Sequence, residues 1–544
     1  MKDTSGESEY DVVVLGTGAA GLTAALAAAD AGASVGLFEK ADLVGGTTCL
    51  SSGVAWLPAN RYASEAGEQD SREEAIAYLS SLSHGMIIPE LAEAFVDTVP
   101  ELIDWLGTST PLRLSLVEGF PDYHPENPGG RPKGGRSLEP QLYSMHGIGS
   151  WSGQLVGQSR RLTVGETPVG GGSGVLNPQV QQQRETDDLE GLGRALIGAL
   201  LEGCLSHGVT PRPGERAVRL LRAGGRVTGV ALDGPNGQHE VRARGGVVLA
   251  TGGFEWDQEF PREFLRGPVD HPATVPWNTG DGLRMAMREG AMLGAMREAW
   301  WAPVCVLPDK QTYGAQAVYL VHRERTAPHS IMVNRKGRRF TNEAANYNAM
   351  GGAFHQLDPG SFDYNNQPCW LVFDDNHVRR YGCFGTPPGG PAPDWVVRSG
   401  TIRELAETID IPARVLQQTV QRWNEQVAEG ADPDFHRGES LYDGYVGDRS
   451  GYPGPASTLG PLNSPPYYAV RLHSSTLGTK GGPRTNSDAV VLDVDGNEMF
   501  GLYAAGNVMA APTGMVYGGA GGTLGPALIF GYRAGRHAAR MVGA

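Results

Sequence analysis

The first regular pattern in the chain is residues 10–15 (YDVVVL), a short apolar, β-branched run that predicts a strand buried on both faces. Ala24, Ala25, Ala27 and Ala28 then supply small apolar positions for a helix lying close against a sheet, and residues 34–39 (SVGLFE) predict a second strand. From 217 to 244 the pattern becomes strand-like, broken by Ala223-Gly224-Gly225 and by a turn over 234–237, which predicts a β-meander. Residues 247–253 (VVLATGG) and 501–507 (GLYAAGN) are further buried strands running into glycine, and 527–542 predicts a closing helix. Between roughly Met296 and Thr476 the pattern changes to strands, loops and short helices rich in aromatics and prolines, with Pro461, Pro465 and Pro466 near its end.

The first two strands frame Gly16-Thr17-Gly18-Ala19-Ala20-Gly21, a G-x-G-x-x-G turn, and the second ends on Glu39, about twenty positions after the first glycine. The three glycines have separate tasks: the tight turn, close approach of backbone to a pyrophosphate, and close helix–strand packing. Glu39 is placed for the adenosine ribose. A glycine turn alone is weak evidence; strand, turn, helix, strand and acid in register predict a Rossmann-like α/β dinucleotide site.

Composition narrows the class. The 544 residues exceed a typical single core, so two domains are expected. A formal charge of −15 argues against nucleic acid or an anionic membrane as the main partner, while helix N-termini can still hold phosphates. Cys49, Cys204, Cys305, Cys369 and Cys383 form no CxxC pair and read as reduced thiols, which points to a cytoplasmic protein. Residues 1–9 are acidic and polar, unlike a secretory signal, and no apolar run is long enough to span a bilayer. Peripheral contact with a membrane, to collect an apolar substrate, stays open. The 78 glycines cluster as doublets beside strands, as expected where backbone packs on a large ligand. Residues 165–174 and the surrounding stretch 147–184 are expected to be a mobile insertion. There is no HExxH, CxxC, GxSxG or P-loop match, and His146 and His473 read as lone structural or rim residues, so no metal is expected.

Gly45-Gly46-Thr47-Thr48, the 247–253 strand end and the 501–507 strand end resemble, in this order, the FAD-binding segments of the fumarate reductase-like flavoproteins. That resemblance implies FAD, held non-covalently because no histidine stands in 46–48, by Gly16, Gly18, Ala19, Ala20, Gly21, Glu39, Lys40, Gly46, Thr47, Thr48, Ser52 and Gly53 early in the chain. It adds Ala250, Thr251, Gly252, Gly506, Asn507, Gly522, Thr523 and Leu524 later on. A helix N-terminus near Thr523 and Leu524 suits the negative charge of reduced flavin. The resemblance also implies an α+β substrate-capping domain at 296–476, inserted between the FAD-domain parts 1–295 and 477–544, with the active site at their interface.

Within that superfamily the dicarboxylate reductases need cations to clamp their substrate. Their histidine and arginine positions hold Thr513 and Tyr517 here. The chain is instead similar to the 3-ketosteroid Δ1-dehydrogenases through residues 120–130 (FPDYHPENPGG), 135–140 (GRSLEP), 339–347 (RFTNEAANY), 466–470, 477–482 (LGTKGG) and 517–526 (YGGAGGTLGP). The resemblance implies that Tyr517 and the Gly521 N–H bind the ketone oxygen. It also implies that Tyr347 takes the neighbouring proton with help from Tyr123, although Tyr143 lies near Tyr123. Ser51-Ser52-Gly53 stands where relatives often carry a glycine pair, so a different cyclic ketone is also open. Gly519, where the Δ4-(5α) relatives carry serine, favours Δ1 chemistry. The expected substrate is an apolar, steroid-like ketone, with a separate electron acceptor. The alternatives are a fumarate reductase-like ene-reductase, a Δ4-(5α)-dehydrogenase, or a non-catalytic flavin or lipid carrier.

Overall fold

A computed structural model of the chain describes residues 8–172 and 174–542. Residues 1–7, part of the acidic start, and Ser173 of the expected insertion lie outside the described residues.

The opening strand β1 (Ser8–Leu15) leads into α1 (Ala19–Asp30) and then β2 (Val35–Phe38). Val12, Val13 and Val14 are completely buried, because β1 lies between two parallel neighbours and has no solvent face. Next come α2 (Gly46–Leu50), α3 (Leu192–Ser206) and β3 (Pro211–Arg212). The meander follows as β4 (Arg216–Ala223), β5 (Arg226–Gly234) and β6 (Gly237–Leu249).

The middle of the chain then builds a second sheet from β7 (Ala299–Thr312), β8 (Ala315–Leu320), β9 (Ser330–Asn334), β10 (Cys369–Asp374), β11 (Val397–Ser399) and β12 (Tyr467–Thr479). The chain returns through β13 (Val490–Leu492) and β14 (Glu498–Ala504) and closes with α4 (Leu524–Arg540). The first sheet has eight strands, with the path β13-β14-β6-β1-β2-β3 and the meander strands β5 and β4 continuing from β6. The second has six, with the path β8-β7-β12-β10-β9 and β11 paired to β12. The fold is therefore the expected Rossmann-like α/β unit with an inserted α+β segment.

Small residues explain how the two ends of the chain meet. A Cβ on Gly531 or Gly535 of α4 would sit 2.5 Å from the Ala20 carbonyl oxygen or 2.2 Å from that of Ala24. The alanine-rich surface of α1, expected against a sheet, thus also receives the C-terminal helix at backbone distance. The second sheet has a separate apolar cluster on each face, one around Phe373 and Tyr468, the other around Trp423 and Leu416. A further cluster joins the two parts of the molecule: Val54, Phe120, Tyr123, Val164, Leu192, Trp300, Tyr442 and Tyr517. It lies where the candidate active site is built.

The glycine-rich segment corrects an expectation. Residues 147–184 were expected to be mobile, yet they contain a 3-10 stretch (Met145–Gln154) and a helix (Pro178–Thr186). Glu166 accepts two hydrogen bonds from Arg184 at 2.6 and 2.7 Å, and the Gly172 N–H donates to the Thr167 carbonyl. Its glycines make tight turns: a Cβ on Gly170 would fall 2.1 Å from the Val164 carbonyl oxygen.

Candidate active site

A continuous cavity of about 720 Å³ runs from the end of β1 to the interface with the second sheet. At its first end, two helix N-termini converge. The Ala19 N–H at the start of α1 donates to Thr48 Oγ1 in α2, 3.2 Å away. A Cβ on Gly18 would have Thr48 Oγ1 as its nearest neighbour at 3.6 Å, and one on Gly46 would find nothing nearer than 4.0 Å. Both positions therefore open onto space, while Gly16 and Gly21 are glycine for packing: a Cβ there would strike the Ala250 or Gly16 carbonyl oxygen at 2.3 or 1.9 Å. Open backbone at convergent helix N-termini fits a pyrophosphate, because those N–H groups lack intrahelical acceptors.

Of the expected cofactor residues, Gly16, Gly18, Ala19, Ala20, Glu39, Lys40, Gly46, Thr47, Thr48, Ser52, Ala250, Thr251, Gly252, Gly506, Asn507, Thr523 and Leu524 all line this cavity. Gly21, Gly53 and Gly522 stand behind its wall. Gly53 packs on the Leu192 backbone and Gly522 under the Tyr517 ring, each too tightly for a Cβ. Glu39 is already held by the Thr17 N–H and hydroxyl at 3.0 and 2.7 Å. Lys40 pairs with Asp281 at 2.7 Å. The Thr251 hydroxyl is buried without a hydrogen-bond partner, against Gly282. Together these features fit FAD.

At the other end the structure gathers Tyr123, Tyr347, Tyr517 and Gly521. The Tyr347 and Tyr517 hydroxyls are 2.8 Å apart, and the Tyr123 ring meets theirs edge-on at 5.6 and 5.1 Å. Tyr143 is elsewhere, its hydroxyl bonded to Glu202 at 2.5 Å. No acceptor for the Gly521 N–H occurs among the described residues, whereas the Gly521 carbonyl accepts from the Trp56 and Gly525 N–H groups.

Buried ionic groups fix each tyrosine-bearing loop. Arg339 binds Glu343 at 2.7 Å and Asp432 at 2.8 Å while lying over the Trp423 ring, so the RFTNEAANY segment is pinned at its start. Asp122, next to Tyr123, accepts from Trp56 Nε1 and from Arg136, both at 2.8 Å. The Tyr123 N–H donates to the Gly518 carbonyl, which ties this loop to the one carrying Tyr517.

Burial pushes the Tyr347 hydroxyl well above the ordinary tyrosine value of 10; the neighbouring Tyr517 adds to this, and the Tyr123 hydroxyl pulls back down. Tyr517 is also raised by burial, with Thr523, Tyr347 and Tyr123 hydroxyls opposing. His322, beside Tyr347 at 6.1 Å between rings, is depressed to about 3 by burial and then by Arg325 and Arg323, and is a neutral imidazole.

Several wall residues have no local signature. Val164, Thr167 and Val169 come from the glycine-rich segment, and residues 312–313 and 315–318 from the β7–β8 hairpin. Tyr313 at that hairpin's tip accepts from the Gly157 N–H at 2.6 Å and lies against Trp277 at 5.0 Å. Arg160 also lines the wall, donating from Nη2 to the Cys49 and Ser51 carbonyls, with no acidic partner among the described residues. All five cysteines are buried and unpaired, and no described helix is long and apolar enough to cross a membrane.

Residues 11–524 match the protein family described as an FAD binding domain. The chain is 39% identical to 4-oxocyclohexanecarboxylate 2-dehydrogenase of Sinomonas cyclohexanicum, over 97% of this chain and 92% of that one. It is 38% identical to 3-oxosteroid 1-dehydrogenase of Mycobacterium tuberculosis, over 98% and 99%. The crystal structure of 3-ketosteroid Δ1-dehydrogenase from Sterolibacterium denitrificans, in complex with 1,4-androstadiene-3,17-dione, superposes with a TM-score of 0.90 at 33% identity, covering 98% of this chain and 100% of that one.

Proposed function

We propose that this chain, which belongs to the FAD-binding family and within it to the 3-ketosteroid Δ1-dehydrogenases, is an FAD-dependent dehydrogenase of ring ketones. It introduces a C1–C2 double bond beside the ketone of a 3-ketosteroid or a similar cyclic ketone. The observation that carries this reading is the meeting of the Tyr347 and Tyr517 hydroxyls, 2.8 Å apart, beside the uncommitted Gly521 N–H.

Desaturation removes a proton from the carbon next to the ketone and a hydride from the carbon beyond it. The ketone oxygen competes for the Tyr517 proton and accepts a second hydrogen bond from the Gly521 N–H. Two donors there stabilise the negative charge that builds as the proton leaves. Tyr347, as tyrosinate, takes that proton, and the Tyr123 hydroxyl favours its charged form. FAD, when bound, supplies the hydride acceptor at its N5 atom. The aromatic and aliphatic wall around Phe120, Val164 and Leu192 keeps water from the ring.

The test is anaerobic mixing of FAD-loaded protein with 4-androstene-3,17-dione and with 4-oxocyclohexanecarboxylate, followed by the flavin absorbance. Bleaching by at least one is expected; no bleaching by either, with no turnover of an artificial acceptor, removes the reading. The same assay gives a pH dependence. Tyr347 is held above 10, so between about pH 7 and 9 it is mostly phenol, and the bleaching rate should rise with pH as the tyrosinate fraction grows. A flat profile with chemistry rate-limiting would exclude Tyr347 as the base.

One observation favours a small keto acid over a steroid. Arg160 lines the cavity with no carboxylate in direct contact among the described residues, and its pKa is pulled below the ordinary arginine value by burial, with Cys49 and Glu190 opposing and Arg194 adding to the shift. A substrate carboxylate would supply the missing charge. On this reading Arg160→Leu should raise KM for 4-oxocyclohexanecarboxylate about thirtyfold, equivalent to about 2 kcal/mol, and leave KM for a neutral ring ketone unchanged. Equal effects on both substrates would assign Arg160 to capping the Cys49 and Ser51 carbonyls alone.

A further inference from the structure

One buried charge has no part in the reaction just described. Lys480 follows β12 directly and is 1% exposed, in a part of the chain where the backbone is tightly held. Its N–H donates to the Glu298 carbonyl, and its own carbonyl accepts from the Ala511 N–H, both at 2.9 Å. The side chain reaches beneath the loop that carries Tyr517. Nζ donates to the Met515 carbonyl at 2.7 Å and the Val516 carbonyl at 3.1 Å. It also lies over the Trp300 ring, 4.1 Å from its centroid, and 5.8 Å from the centroid of the Tyr517 ring. Trp300 is itself fixed at both ends: its Nε1 donates to Asn507 Oδ1 at 3.0 Å, and its ring meets Tyr517 edge-on at 4.8 Å.

A buried ammonium is costly to keep unless charges pair with it. No carboxylate pairs with Lys480 among the described residues. Glu298, the acid that faces it, is bound to Arg266 at 2.9 Å and accepts from Trp301 Nε1 at 3.1 Å. Burial lowers Lys480 to about 7, Glu298 opposes this, and Arg266 adds to it. Two carbonyls and an aromatic face are the acceptors that hold it. They belong to the loop and the ring that set the position of Tyr517.

We propose that Lys480 is a positioning residue for Tyr517: its ammonium clamps the Met515–Val516 backbone and favours the negative charge that Tyr517 stabilises on the substrate oxygen. This rests on the ring-ketone reading above. The local chemistry supports a role in charge as well as in shape. A methylene chain could fill the same space under the loop, but only a cation adds an attractive field at a site already shielded from water.

The test uses FAD-loaded protein and fluorinated phenols acidic enough to ionise below about pH 7, where Lys480 is protonated. Such a phenol mimics the enolate, and its ¹⁹F shift reports how much of the bound form is ionised. In Lys480→Met the pH of half-ionisation should rise by about one unit, a tenfold loss in preference for the anion. Lys480→Arg should keep it within about a third of a unit of wild type. Turnover should follow the same order, with kcat falling about tenfold in Lys480→Met and KM changing less than about threefold. An unshifted half-ionisation in Lys480→Met, or an equal shift in both variants, would overturn the proposal. If Lys480→Met does not fold, Lys480→Gln against Lys480→Arg makes the same comparison. A phenol that fails to compete with the ketone, or that ionises alike in wild type and Tyr517→Phe, would instead overturn the ring-ketone site itself.

Discussion

Tyr347→Phe is expected to lower the rate of flavin reduction by a ring ketone about a thousandfold, while FAD stays bound with an unchanged oxidised spectrum. The substitution removes one oxygen and leaves the ring that packs between Tyr123 and Tyr517. Its backbone is fixed independently, through Arg339 and Glu343, eight and four positions earlier, and Asp432 in a separate loop, so the fold should survive. What disappears is the proton acceptor proposed to stand next to the ketone. His322 has a pKa of about 3, held there by burial and two arginines, and is too weak a base. Stopped-flow bleaching checks the expectation, and a loss smaller than about tenfold would mean that another group takes the proton.

The second large effect is expected at a residue with no side chain. Gly521 has φ +92°, and a Cβ would fall 2.5 Å from the Trp56 nitrogen and 2.6 Å from the Val54 carbonyl oxygen. All of these are backbone atoms, so no rotamer can relieve the contact. Gly521→Ala must therefore turn a peptide that lines the cavity and whose N–H has no acceptor among the described residues. Losing one donor at a developing oxyanion typically costs about a hundredfold or more in rate. The expected result is a fall of that size in kcat/KM, read per FAD bound, because Thr523 and Leu524, which line the same cavity, follow Gly521 closely. Full activity in Gly521→Ala would assign that glycine to turn geometry alone. Tyr517→Phe offers an internal comparison: it removes the other donor without moving the loop.

Both predictions involve positions that the chain's local pattern could nominate only in part. Tyr517 and Gly521 stand in one motif, four positions apart, so their proximity follows from sequence. Tyr347 and Tyr517 are 170 positions apart, and no periodicity brings them within hydrogen-bond distance. Tyr123 and Tyr143 were equal in composition and close in the chain; the Asp122–Trp56 and Asp122–Arg136 bonds place the first at the cavity, and Glu202 holds the second away from it. The glycine-rich segment misled for a related reason. Polar, glycine-rich sequence reads as mobile because local pattern carries no information about long-range contacts, and here the Glu166–Arg184 pair and the packing of Val164 against the tyrosine cluster give it structure.

The sequence by itself determined the cofactor half of this protein. A strand, a glycine turn, a helix and an acid are local features, and the Rossmann-like α/β start, its backbone phosphate cradle and the later strand ends follow from short-range sterics. Only the tertiary structure decided what stands opposite that cradle. The β7–β8 hairpin, Arg160, His322 and the Lys480–Trp300 pair reach the site through sheet register and helix packing between segments distant in the chain. Their polar groups matter because burial strengthens the electrostatics around them, and that burial depends on the whole fold rather than on any stretch of sequence.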